Sequence, residues 1–425
     1  MRRDRETKSR NSCFSAEMKH HRLTLAALST FGLITTLLLR PCKSLVFPNH
    51  DGDHSHTYNK EFQSKFRPGT LEAAAAELGR VPYGESSRKY RRTIYTHEDW
   101  IRHRSSDRLG RTLRGLFFSG IVRQMQSQVA VVTIVAFMAV LWNDYLAPFA
   151  GLPHLCLPLL PFTLSSPPLG LLLVFRTNAS YQRWLEARMR WGMIVSQSTN
   201  IVRMASTFAD TLSPEGKERI DELVRAVWAT SRSIMNKLTG PDDEEAYEAQ
   251  LRSVYGFDDR HVTRLMAAPD RVSASLMEAS LALDRIPVDE KRRVEIDKSL
   301  IILGDTITSC DRIFSSPVPL VYTRHTARFL SLWMLLLPFA IHDDFMTADH
   351  SGWPTIPAAT LLSLFLFGIE ELAVQLEEPF SILPMQSFCD EILDVSLGLV
   401  AWSVETKKDH AITPPLKRSR FWQDS

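Results

Sequence analysis

The chain has 425 residues, 44% of them hydrophobic, with 50 Lys and Arg against 48 Asp and Glu for a formal charge of +2. That balance excludes both a chain that is mostly membrane and a disordered polar chain, while five Cys with no CxxC pair argue against a disulfide scaffold or a structural zinc site. The neutrality hides an asymmetry: residues 1–46 carry nine Lys/Arg and three acids, leaving the remainder at −4, which does not support a basic, nucleic-acid-binding body.

Lys19-His20-His21-Arg22 precede an uncharged run, Leu23–Leu39, followed by Arg40-Pro41-Cys42-Lys43. A basic region followed by an apolar run of 17 residues predicts a signal-like targeting segment over 1–46, with a retained membrane anchor as the other reading. A Phe at position 47 after apolar residues resembles the cleavage site of bipartite plastid-targeting signals, and the polar residues 47–87 then read as a transit-like stretch and linker. Thr70–Arg80 predicts a short helix with Thr70 as its N-cap.

The main body is expected over 88–405, with a polar tail at 406–425. Ten arginines and lysines from Arg88 to Arg123 precede 20 residues without charge, ending at Asp144. A second uncharged window, from Asp144 to Arg176, holds six prolines and predicts a turn followed by an interrupted helix. Membrane spans are expected at about 124–147, 155–178, 315–341 and 351–372, each long enough to cross roughly 30 Å of hydrocarbon. Between them, about 179–312 is polar, shows no strand alternation, and carries amphipathic helical spacing at Glu215–Lys237 and Asp289–Leu303. The loops at Asp144 and His342–His350 lack Lys and Arg, whereas 102–123, 176–190 and 324–328 are rich in Arg. The positive-inside rule therefore puts both termini and the polar helical part on one side. The fold class is all-α membrane protein.

No phosphate-binding glycine loop, zinc-protease HExxH or GxSxG elbow is present, so neither an enzyme nor a bound cofactor is expected. The three His at 50, 54 and 56 read as a polar spacer. Glu370, Glu371, Glu377 and Glu378 are the sole convergent carboxylates and read as a helix end facing water or arginine rather than a metal site. The segment Ser165-Ser166-Pro167-Pro168 predicts a helix start within the membrane: Ser166 as N-cap, Pro167 in the first turn, and free N–H groups that favour an anion. From there Pro167, Leu171 and Phe175 fall at i, i+4 and i+8 and form one stripe, either a hydrophobic constriction or a packing face against a neighbouring helix.

The string Val174-Phe175-Arg176-Thr177-Asn178-Ala179-Ser180-Tyr181-Gln182-Arg183-Trp184-Leu185-Glu186-Ala187-Arg188 resembles the FRxNxSYxRWWEAR signature of bestrophin-like membrane proteins. Ser309–Tyr322, with Pro317 and Pro319, continued by His325 and Arg328-Phe329-Leu330, resembles a second family block, and Gly368–Phe380 a third. Trp100–Ser105 resembles the plastid and algal branch, which includes thylakoid chloride channels. The resemblance implies a homopentamer with four membrane helices per subunit, embedded in a lipid bilayer. It implies passive conduction of chloride or bicarbonate in a plastid thylakoid membrane, for membrane-potential balance or inorganic-carbon supply. It places the pore neck at Pro167, Leu171 and Phe175, and gives Arg176, Asn178, Arg183, Trp184, Glu186, Pro317, Pro319 and His325 structural roles. Pro and Leu in the neck, and Ser381–Gln386 where animal relatives carry an acidic calcium-binding run, depart from the family pattern. A cation channel of the same fold, a secondary transporter, or an enzyme built on Glu370–Glu378 are the competing readings.

Overall fold

In a computed structural model the described residues are 94–105, 110, 122, 124–256, 260–346 and 351–412; the targeting segment, the transit-like stretch, the Thr70–Arg80 helix and the end of the polar tail lie outside them. Among the described residues every regular element is helical: α1 (His97–Arg104), α2 (Gln126–Leu141), α3 (Leu160–Phe208), α4 (Pro214–Thr239), α5 (Glu244–Tyr255), α6 (Arg260–Ala267), α7 (Arg271–Asp284), α8 (Glu290–Ser315), α9 (Leu320–Phe345), α10 (Thr355–Glu377) and α11 (Met385–Ile412). They form two compact units, whose boundaries fall at 176/177, 320/321 and 372/373.

The first unit takes in α2, the start of α3, most of α9 and most of α10. Its core repeats at three- and four-residue spacing: Val129, Val132, Ala136 and Val140 from α2 meet Leu169 and Leu173 of α3, Leu330, Met334 and Leu337 of α9, and Ile356, Ala359 and Phe367 of α10. Two helical stretches here, Gln126–Ala150 and Thr355–Glu377, are long and apolar enough to cross a membrane, with mean hydropathy 1.8 and 1.6. Past Leu141 the backbone widens into a π turn, Trp142–Leu146, closes one last α turn at Ala147–Ala150, and stops at Gly151, whose φ of 66° suits a residue without Cβ. The π turn carries the fully buried Asn143, which both donates to the Leu155 carbonyl and accepts from its N–H (3.1 and 2.9 Å). One side-chain amide thus supplies both backbone partners of Leu155, in an exposed stretch outside any helix.

The structure corrects the expected start of α3. The helix begins at Leu160, not at Ser166, and runs without interruption through Pro167 and Pro168 to Phe208. Ser165 and Ser166 sit in its second turn, so neither offers free N–H groups at a helix start. Their hydroxyls instead donate to carbonyls within the helix: Ser165 to Phe162 (3.3 Å) and Ser166 to Thr163 (3.1 Å). Pro167 has no N–H for the Thr163 carbonyl, and the Ser166 hydroxyl takes that place.

The second unit holds α3 from Thr177 onward, α4 to α8 and α11. The serine at 213 caps α4 by accepting from the Gly216 N–H (3.1 Å), Pro214 occupies its first turn, and Gly240 ends it at φ 88°. Trp191, Ile194 and Ile201 of α3, Trp228 of α4, Tyr247 of α5 and Phe388 of α11 are all buried in one core. Through that core runs a polar network: Arg232, fully buried, grips Asp243 with two donors (2.6 and 2.8 Å), while Tyr247 pairs with Ser233 (2.8 Å). Arg271 holds Glu244 by two bonds of 2.7 Å and keeps that carboxyl below its usual range.

Candidate functional site

The stripe Pro167–Leu171–Phe175 lies on the bare side of α3. Leu171 and Phe175 are 53% and 56% exposed, and Leu160 and Leu164, further up the same helix, 66% and 68%. The opposite side is filled: Leu169, Leu173 and Arg176 are buried. Among the described residues, the stripe therefore does not pack against another helix. What α3 offers outward is a run of apolar side chains with no charge between Leu160 and Phe175.

Three contacts fix the side of α3 that turns inward. Near the top, Trp333 of α9 donates its indole N–H to the Ser165 hydroxyl (3.0 Å) and lays its ring against Phe162 at 5.7 Å. Lower down, the Tyr322 hydroxyl donates to the Leu172 carbonyl (3.2 Å). At the foot, Arg176 forms a buried ion pair with Glu370 of α10 and reaches the Thr323 carbonyl of α9 (3.5 Å). The residue next to Phe175 thereby clamps three helices. Glu370, the first of the four carboxylates considered for an enzyme, is committed to this pair.

Of the other signature residues, His325 lies in the first unit and the rest in the second. Arg183 donates to three backbone carbonyls: Glu377 (3.1 Å), Ser316 (2.5 Å) and Ile313 (2.8 Å). These carbonyls belong to the last turns of α8 and α10 and to Ser316 just past α8, so one guanidinium caps two helix ends. Trp184 stacks on Tyr181 at 5.8 Å, and Glu186 lies within reach of both Arg190 (3.5 Å) and Arg312 (3.2 Å). Pro317 follows the end of α8 and Pro319 precedes α9, where a ring without N–H stops one helix and admits the next. Asn178 and His325 are exposed. Among the described residues no group of three or more His, Cys, Asp or Glu side chains is placed to hold a metal ion.

One cluster was not foreseen. The Asp144 carboxylate, in the π turn, accepts from the Gly352 N–H (2.9 Å) and meets the buried His342 ring (3.0 Å). Gly352 is held against that ring so closely that a Cβ would stand 2.3 Å from His342 Nε2. The sequence hint was slender: Asp144 and His342 each terminate an apolar run, and nothing local pairs them.

Residues 99–396 match the family model described as Bacterial/Fungal Bestrophin protein. The chain belongs to the bestrophin family. It is 31% identical over 319 residues to voltage-dependent chloride channel 2, chloroplastic, of Arabidopsis thaliana, covering 73% of this chain and 74% of that one. It is 32% identical over 311 residues to voltage-dependent chloride channel 1, chloroplastic, of the same plant, with 72% of each covered. Among solved structures, the bacterial bestrophin homologue from Klebsiella pneumoniae with the mutation L177T superposes with a TM-score of 0.54 at 23% identity, over 64% of this chain and 97% of that one. Among its described residues this bestrophin is thus all-helical, with the fold of its bacterial relatives.

Proposed function

We propose that this bestrophin is the subunit of an anion channel, not an enzyme, and that five copies surround one pore in a plastid membrane. The observation that carries the reading is the bare apolar stripe on α3. A helix that buries Leu169, Leu173 and Arg176 and leaves Leu171 and Phe175 open has one face free for a shared axis. Copied around such an axis, Pro167, Leu171 and Phe175 form a hydrophobic neck that gates by wetting, and the positive edge of the Phe175 ring faces a partly dehydrated anion. The names of the chloroplastic relatives support chloride as the permeant ion and a plastid membrane as the location; the thylakoid is the proposed membrane. Bicarbonate is the second proposed ion, because a neck of hydrocarbon discriminates poorly among monovalent anions. Four spans are proposed, the two strongly apolar helical stretches plus the apolar parts of α3 and α9, with 1–46 as a removable targeting segment. Pro167 and Leu171 are aliphatic, so Phe175 supplies the one aromatic ring that each subunit gives to this neck.

The test is the reversal potential of the chain in planar bilayers under an asymmetric KCl gradient. Reversal at the chloride equilibrium potential is expected, with current persisting when bicarbonate replaces chloride. Reversal at the potassium potential would sink the anion reading. Phe175→Ala and Leu171→Ala are expected to change conductance or selectivity while the oligomer stays intact; parental conductance in both variants would remove the neck from α3.

A further inference from the structure

The exposed side of α9 carries a pattern that the neck does not use. Arg324, His325 and Arg328 are all exposed, and no acid among the described residues pairs with any of them. They gain nothing from the helix macrodipole, which favours cations at the far end of a helix. The same side of α9 continues in apolar residues: Val321 is 83% exposed, Leu332 57% and Leu336 38%. The opposite side is packed, with Thr323, Thr326, Leu330, Met334 and Leu337 buried. Their depth is set by two contacts already described: Tyr322 touches Leu172, and Arg176 reaches Thr323, so the cations stand level with the foot of the stripe.

Two arginines and a histidine above a strip of exposed Leu and Val match one kind of ligand. We propose that this side of α9 binds an anionic lipid, its phosphate or sulfonate headgroup held by Arg324 and Arg328 with His325 between them, and its acyl chains lying along Leu332 and Leu336. Guanidinium groups grip such oxyanions in a forked geometry, and an arginine at the hydrocarbon boundary is attracted to a negative leaflet. A small permeant anion would need the cations but not the apolar strip below them. The inference rests on the proposed membrane-spanning reading of α9.

The test uses the full chain reconstituted in phosphatidylcholine vesicles that contain phosphatidylglycerol, probed with spin-labelled versions of each lipid. The motionally restricted fraction is expected to be larger for phosphatidylglycerol than for phosphatidylcholine. Arg324→Gln and Arg328→Gln are expected to lower that preference roughly fivefold each. The Arg324→Lys and Arg328→Lys pair, which keeps the charge, is expected to retain most of it and shows that a loss in the Gln variants is not misfolding. Equal restriction of both lipids by the parent overturns the proposal. So does an unchanged preference in the double Gln variant, or a fall in unitary conductance with lipid preference unchanged, which would turn these cations toward the permeating ion. Release of the parent from the vesicles by alkaline carbonate would instead overturn the spanning reading itself.

Discussion

Arg183 directs its guanidinium at three carbonyls from two helix ends. Lysine carries the same charge but presents a point ammonium, which cannot reach three acceptors in that fork. Arg183→Lys is expected to cost about 1–3 kcal/mol, the scale of leaving part-buried acceptors without donors. Arg190→Lys, whose partner Glu186 is a half-exposed neighbour one turn away, is expected to change stability by less than about 0.5 kcal/mol. Thermal unfolding of both variants in detergent measures the contrast, and equal shifts would mean the cap contributes nothing beyond a surface pair. The Arg176–Glu370 pair gives a second residue-scale outcome. Both side chains are almost wholly buried, so removing one charge strands the other. Glu370→Gln or Arg176→Gln is expected to cost about 3–5 kcal/mol, whereas the double change Arg176→Met with Glu370→Leu costs much less. Double-variant stability as low as that of either single variant would show that the pair's geometry, not the stranded charge, is what matters.

At the scale of the element, α11 carries a titration that the charge of Arg232 on α4 opposes. Burial pushes Asp390 up to about 6 against the opposing hydrogen bond from Gln386, and nearby Asp394 adds to the rise. An acid whose pKa is higher folded than unfolded binds more protons in the native state. Its contribution is therefore present in full below about pH 4 and is lost as pH rises through about 6. Unfolding of the parent is expected to grow easier across that window, at no more than about 1.4 kcal/mol per pH unit. The Asp390→Asn variant is expected to lack that part of the slope; the readout is the difference between the two pH profiles. An identical slope in both would assign it to other carboxylates. The helix α3 shows why some elements were legible and others not. Its stripe is a local pattern, readable at four-residue spacing, and so was the amphipathic spacing of Glu215–Lys237 that forms α4. The start of α3 was not. Ser-Ser-Pro-Pro is a strong local start signal, yet here it lies inside a helix, because Phe162 packs on Trp333 and the Ser166 hydroxyl replaces the bond that Pro167 removes. Local propensity yields to packing where side chains repair the backbone.

For the whole molecule, the family and its all-helical fold were legible because long irregular strings around Arg176–Arg188 and Ser309–Tyr322 survive as motifs. The pairings that tie the chain together were not, since Asp144 with His342 is 198 positions apart and Arg176 with Glu370 194. Periodicity reports which side of a helix is buried, and says nothing of which distant charge meets it. Exposure in the single chain then points to what assembly must cover. In the second unit Met277 and Leu281 of α7 are 60% and 52% exposed, and Val294 and Ile301 of α8 are 53% and 63%. The first two are one turn apart and the second two are two turns apart, so each helix shows an apolar strip. The two helices approach closely where Gly304 leaves room, a Cβ there standing 3.2 Å from Leu276. In the proposed ring, two such strips on a polar helical body are faces for the next copy to cover. Native mass spectrometry of the detergent-solubilised chain is expected to give pentamers. Ile301→Asp, which places a charge in that strip, is expected to shift them to monomers while the helical content stays unchanged. Lys298→Glu, a charge change at an exposed residue on the same helix, is expected to leave pentamers in place. If Ile301→Asp remains pentameric, the subunit contact lies on other surfaces.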